Sequence, residues 1–275
     1  MAETSELESG YGPRSRRGDN LLNDFVQESA ESYAAFGEAR SDRVERIEGV
    51  VTLIDAGSPL PFSNRAVLEQ PIDDIRSVLD HIRPFYDSGT ATPFLLDSAW
   101  PTPDLTPIGF ARMGHPPLMV RAPGPAFPTP PDELRIVRVD DEQTAFDYEQ
   151  ALIYGYPAPQ LQPMNEVTIL TPAALDAPGW HHFVGYVDDR AVAAGSGFAG
   201  ESLVRVDNIA TLESERGRGY GLAITAAAAS IDSSKPATLI ASDLGRGVYE
   251  RLGFVALLRF TYWLGLRSEA EFARR

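Results

Sequence analysis

"SERGRGYGLAITAAAAS", residues 214–230, carries glycines at Gly217, Gly219 and Gly221, arginines at Arg216 and Arg218, and then an alanine-rich run. Glycine loses more freedom on folding than any other residue, so three on alternate positions point to a backbone that side chains would obstruct. The preceding "SLVRVDNIATL" reads as a strand and the following "GLAITAAAAS" as a helix, which makes "RGRGYG" the turn between them. The first N–H groups of a helix lack partners within it and lie at the positive end of its dipole. Glycines at that point let an anion approach the backbone, so the stretch reads as a phosphate-binding turn. It lacks the lysine of a Walker loop, and its third glycine comes one residue early for the dinucleotide fingerprint.

Around this stretch the chain has 275 residues, enough for two domains of ordinary size. A net charge of −15 argues against nucleic acid or an anionic membrane as partner. With no cysteine, disulfides, thiolate metal sites and a cysteine nucleophile are excluded. The opening "MAETSELESG" is acidic and polar where a signal peptide would be basic and then apolar, and no apolar run is long enough to span a membrane. A soluble, cytoplasmic protein is expected.

Composition divides the chain into a polar arm at 1–20, a first domain at 21–121, a proline-rich linker at 122–132 and a second domain at 133–275. In the first domain "DRVERIEGVVTLIDAG" reads as one strand. "IDDIRSVLDHIRPFYD" reads as a helix with Ile72, Ile75, Val78, Leu79 and Ile82 on one face, and "TPFLLDSA" and "PPLMVRAP" as short strands. The second domain runs strand "ELRIVRVDD", helix "EQTAFDYEQALIYG", loop, and three strands "WHHFVGYVDD", "RAVAAGSGFAG" and "SLVRVDNIATL" joined by short turns. The glycine turn and its helix follow, then strand "PATLIASD", a short helix at "GVYERL" and two strands in "FVALLRFTYWLGL". That order gives an α/β fold with a sheet of mixed direction.

Arg216-x-x-Gly219-x-Gly221 resembles the Arg/Gln-x-x-Gly-x-Gly/Ala signature of the GCN5-related N-acetyltransferases (GNATs), and "YERLGF" from Tyr249 to Phe254 resembles that family's Tyr-x-x-x-Gly-Phe motif. The resemblance covers about 133–264. It implies a GNAT fold, acetyl-CoA as co-substrate with its pyrophosphate on Arg216, Gly217, Arg218, Gly219, Tyr220 and Gly221, and transfer of the acetyl group to a primary amine. It also implies that strands four and five splay apart, freeing backbone groups at Ala210, Thr211 and Leu212 for the pantetheine arm. Tyr249 would protonate the leaving thiolate. Ser242 stands where many members have an asparagine that contacts pantetheine, and Asp243 and Gly245 are neighbours of interest.

The base is less determined. Where some members carry a glutamate on strand four this chain has Arg205; Asp207, two residues on and on the same strand face, is the candidate, with Glu213 and Glu166 behind it and a water as the alternative. The acceptor is expected to be a small-molecule amine or a peptide, and a non-catalytic acetyl-CoA sensor is the rival reading. A longer acyl donor also remains open. His181 and His182 face opposite sides of a strand and cannot share a metal, so none is expected.

The first domain echoes the back half of a GNAT domain, with "IGF" at 108–110 where "LGF" stands later, and is read as a degenerate tandem copy, with an unrelated packing domain as the alternative. It has no glycine turn before its helix, where acids stand instead, and Leu105 in place of the tyrosine; no cofactor is expected there.

Overall fold

Two aspartates with positive φ, Asp188 at 49° and Asp189 at 57°, close a two-residue turn between strands at Trp180–Val187 and Arg190–Ala199. That left-handed pair matches the right-handed twist of a hairpin and fixes the register of the widest sheet. The computed structural model describes residues 21–265 apart from 72–73, 90–92, 157 and 244. The expectations for the 1–20 arm and for Ile72 lie outside the described residues.

The first half runs α1 (Leu21–Ala39), β1 (Arg43–Ile47), β2 (Val51–Asp55), β3 (Asn64–Leu68), α2 (Ile75–Asp87), β4 (Phe94–Ser98), β5 (Phe110–Gly114) and β6 (Pro117–Arg121). The second runs β7 (Arg135–Arg138), α3 (Glu142–Gly155), α4 (Pro172–Leu175), β8 (Trp180–Val187), β9 (Arg190–Ala199), β10 (Val204–Thr211), α5 (Tyr220–Ala229), β11 (Ala237–Ile240), α6 (Arg246–Arg251), β12 (Val255–Arg259) and β13 (Thr261–Gly265).

Three features depart from the sequence reading. The single strand expected over "DRVERIEGVVTLIDAG" is the hairpin β1–β2, turned at Gly49 with φ +66° and pairing Arg43 with Asp55. Helix α1, not anticipated, runs along both halves: Leu22, Phe25 and Val26 pack with Leu118, Leu203 and Phe260. The boundary drawn at 121 does not separate the sheets. The first sheet has the order β1-β2-β3-β4-β13-β5 and the second β12-β6-β11-β10-β9-β8-β7. Strand β6 thus sits between β11 and β12 of the second sheet, and β13 between β4 and β5 of the first. Each half lends the other one strand. A proline-rich linker marks where composition changes; backbone pairing between distant strands leaves no such mark.

The halves share a strand–helix–strand crossover, β3–α2–β4 in the first and β10–α5–β11 in the second, each with parallel strands. They differ at the fork. β3 and β4 stay paired from Arg65–Leu95 to Val67–Asp97, almost to the end of β3. β10 and β11 pair only at Val204–Ala237 and Arg205–Thr238 and then part.

Helix α5 lies close on its sheet. A Cβ added to Gly195 would overlap Ile224, and one added to Gly197 would overlap the Ala228 carbonyl. The "GSGFAG" at 195–200 has dinucleotide-loop spacing, yet its first two glycines lie within strand β9 and serve helix packing.

Candidate active site

A bulge follows the point where the fork opens. The register of β10 against β9 shifts between Asp207 and Ala210, and Asn208 takes φ +56°, a conformation asparagine tolerates better than most residues. Beyond it the Leu212 N–H donates to Val192 O at 2.9 Å. Backbone groups alternate sides along a strand, so Leu212 and Ala210 turn theirs toward β9 while Thr211 turns its own toward the gap beside β11. Of the three residues expected to meet pantetheine, Leu212 has its N–H on β9, while Thr211 has its carbonyl taken by Arg216 and its N–H turned from β9.

The glycine turn follows. Gly217 has φ +81° and Gly219 φ +88°, so these two are required by left-handed backbone, and Gly219 opens α5 with no side chain capping it. Gly221 serves a close approach, since a Cβ there would stand 3.1 Å from Thr211 Oγ1. No acid occupies the first turn of α5. Helix α2 of the first half differs: the Asp74 carboxylate accepts from Arg76 N at 2.9 Å and occupies its N-terminus.

The motif side chains are turned inward more than the sequence suggests. Arg216 donates to Thr211 O at 3.3 Å and to Gly155 O at 2.9 Å, fastening the turn to β10 and to the end of α3. Tyr220 is buried and donates to Glu133 at 3.1 Å, so only its backbone faces the turn. Arg218 stays largely exposed, 3.6 Å from Glu215.

Beside the fork lies a cavity of about 730 Å³ walled by both halves and α1. Tyr249 of α6 reaches it as a buried phenol with no hydrogen-bond partner among the described residues. Burial, and then the charge of Asp207, push its pKa above the ordinary phenol value. Its ring lies against Gly245, where a Cβ would come within 2.8 Å, so that glycine makes room for the tyrosine. Ser242 lines the cavity too, but its Oγ accepts from Gly245 N at 3.1 Å and caps the approach to α6.

Asp207 is more encumbered than a free base. Its Oδ2 accepts from Tyr33 Oη at 3.0 Å and from Arg205 Nη2 at 3.2 Å, and its Oδ1 accepts from Asn208 N at 3.0 Å. The Tyr33 ring is sandwiched between two guanidinium groups, Arg65 at 4.3 Å and Arg205 at 4.0 Å. Desolvation raises the Tyr33 pKa to about 12. Arg65 in turn pairs with Asp97 inside the first half. The sequence reading missed Tyr33 and Arg65. The spacing Leu22, Phe25, Val26, Ala30, Tyr33, Ala34 was available to mark α1, but nothing in it says that the helix crosses to β10. Among the candidate bases, Glu166 borders a separate small pocket and Glu213 lies in the turn after β10, neither lining the cavity. No group of three or more histidine, aspartate or glutamate side chains converges among the described residues.

Comparison with solved structures follows this geometry over nearly the whole chain. A GCN5-related N-acetyltransferase from Kribbella flavida superposes with a TM-score of 0.64 at 19% identity, covering 90% of this chain and 96% of its own. The chain has the GNAT fold. A GNAT-family protein from Novosphingobium aromaticivorans superposes with a TM-score of 0.58 at 16% identity, covering 94% of this chain and all of its own. A tandem GNAT protein of the clavulanic acid biosynthesis pathway does so at 0.54 and 12%, covering 92% and 97%. The tandem arrangement of GNAT units therefore accommodates both sheets. No family model and no curated protein matches the chain. No described helix is long and apolar enough to cross a membrane.

Proposed function

We propose that the protein is an acetyl-CoA-dependent N-acetyltransferase acting on a primary amine from the β10–β11 fork. The observation that carries this is the conjunction of an open fork, an uncapped glycine turn at its mouth and, beside it, a buried phenol with no hydrogen-bond partner among the described residues. The N–H groups at the start of α5 would hold the pyrophosphate, with the largely exposed Arg218, now beside Glu215, able to add charge and Arg216 acting by bracing the turn. Thr211 would meet the pantetheine arm in the gap, and Ser242 would border it.

The amine nitrogen bonds to the thioester carbon and the carbon–sulfur bond breaks. Tyr249 gives its proton to the departing sulfur, and regains one from solvent after release. A lysine-like amine is mostly protonated at neutral pH, so it must lose one proton before attack and another after it. With two donors already on Oδ2, Asp207 is better suited to receive an ammonium N–H than to remove its proton, so water carries both protons away.

Titration calorimetry of acetyl-CoA into the purified protein tests the reading. One site per chain is expected, lost in Gly219→Asp with the circular dichroism spectrum unchanged. Thiol release with an amine panel then separates the enzyme from a sensor that binds acetyl-CoA and transfers nothing. The occupied Oδ2 of Asp207 is what keeps that second reading in play.

A further inference from the structure

The chain as a whole is strongly acidic, and an acidic surface favours cationic amines of every kind. Among the described residues lining the cavity, arginines outnumber carboxylates. Four arginines line it, Arg40, Arg65, Arg205 and Arg259, against two aspartates, Asp207 and Asp243. Three of the four are already matched, Arg40 with Asp42, Arg65 with Asp97 and Arg205 with Asp207, and Arg259 donates to the His115 carbonyl at 2.7 Å.

The acceptor side is otherwise largely aromatic and apolar, with Ser63, Gln160 and Asn208 among its polar groups. Trp180, Tyr33 and Phe62 alternate with the guanidinium groups of Arg205 and Arg65 in one continuous stack, Arg205 lying 5.2 Å from the Trp180 ring and Arg65 5.7 Å from that of Phe62. Tyr156 continues the wall from the second half, edge-on to Phe62 with centroids 6.0 Å apart, and is 42% exposed. Asp207 borders this wall at Tyr33 and Arg205, its side chain 25% exposed.

Resting on the transferase reading above, we propose that the acceptor is an amphipathic monoamine: one ammonium, bound at Asp207, on an aromatic or apolar body that packs against Phe62 and Tyr156. A polyamine or aminoglycoside would bring further ammonium groups past Asp207 into a wall of arginines and rings, where Asp243 is the one other carboxylate among the described lining residues. An unpaired charge buried in such a wall is costly. A single aromatic body leaves no such debt and covers the exposed ring faces.

The test uses the full chain and four probes: tryptamine, 2-phenylethylamine, spermidine and kanamycin. Binding is followed by saturation-transfer NMR with and without free CoA, and transfer by thiol release from acetyl-CoA. The expected result is that both aromatic amines bind and that their kcat/KM exceeds that of spermidine by about 100-fold. Phe62→Ala and the more exposed Tyr156→Leu should each raise KM for tryptamine about tenfold, with acetyl-CoA affinity unchanged. Preference for spermidine or kanamycin, or failure of both aromatic amines to bind in either condition, overturns the proposal. The two readings fail separately. Aromatic amines that bind a protein unable to bind acetyl-CoA would leave the cavity assignment standing and remove the transferase; acetyl-CoA binding with a polyamine preference would do the reverse.

Discussion

Tyr249 and Asp207 differ in how their surroundings hold them. Tyr249 has its pKa raised by burial, so it keeps its proton across the neutral range and well into alkaline solution. Tyr249→Phe is expected to lower kcat by about 100-fold or more while leaving acetyl-CoA affinity intact, measured by single-turnover thiol release and calorimetry. For Asp207 the informative variant is Tyr33→Phe, which keeps the ring between Arg65 and Arg205 and removes only the hydroxyl bond. A rise in amine KM of about tenfold with little change in melting temperature is expected. A third residue reports on stability alone. His182 is buried beneath Trp180 with Nδ1 2.8 Å from Ser196 Oγ, and desolvation lowers its pKa from 6.5 to about 3. The unfolded chain therefore binds the extra proton first, between pH 6.5 and about 3, and stability is lost as pH falls through that window. The slope is up to about 1.4 kcal/mol per pH unit, and urea midpoints across pH 4–7 should flatten in His182→Gln. At this scale the sequence showed which residue types stand at the site but not their direction. Arg216 and Ser242 were legible as motif positions, yet both spend their side chains on backbone of their own half, which no spacing reveals.

The helix that presents the glycine turn is positioned by what lies under it. Gly195 and Gly197 let α5 rest on β9 at a distance that larger residues forbid. Gly197→Val is expected to lift α5, to cost about 3 kcal/mol by overpacking, and to weaken acetyl-CoA binding without touching the turn. Gly247 meets nothing within 4 Å of an added Cβ, so Gly247→Ala in α6 should be neutral or slightly stabilising in the same denaturation assay. The small-residue run of α5 was readable as a close-packing face because alanine periodicity survives translation into a helix. The β1–β2 hairpin was not, because Gly49 sits in a stretch whose apolar residues run on through the turn. The fork opens where β10–β11 pairing stops, at Arg205, two residues before the register shift of β10 against β9, and strand propensity marks neither point.

Across the whole molecule, the halves are joined by exchanged strands, by α1 and by a shared cavity. Strand β13 completes the first sheet with Trp263 and Leu264, both 4% exposed. A chain ending at residue 260 is expected to lose roughly 5 kcal/mol from these two side chains alone, a large part of a typical domain's stability. Its first half should become sensitive to limited proteolysis. The intact protein should unfold in one transition followed equally by far-ultraviolet dichroism and tryptophan fluorescence. The presence of two α/β units was legible from the order of their elements. The exchange was not, since β6 and β13 read as ordinary strands of their own halves and carry no mark of the sheet they join.

Synthesis is directional, and the exchange makes it matter. Among the described residues, strand β5 has β13 as its only neighbour in the first sheet, and β13 separates it from β4. On the ribosome, β4 and β5 are made early and stand with open edges until residues 261–265 emerge. At about 5–20 residues per second that interval is on the order of 10 s. Arg65 on β3, with Phe62 in the turn just before it, thus stands on a sheet that is not complete until the second half has been translated, so under the proposed function the wall offered to the amine and the transfer site would be finished together.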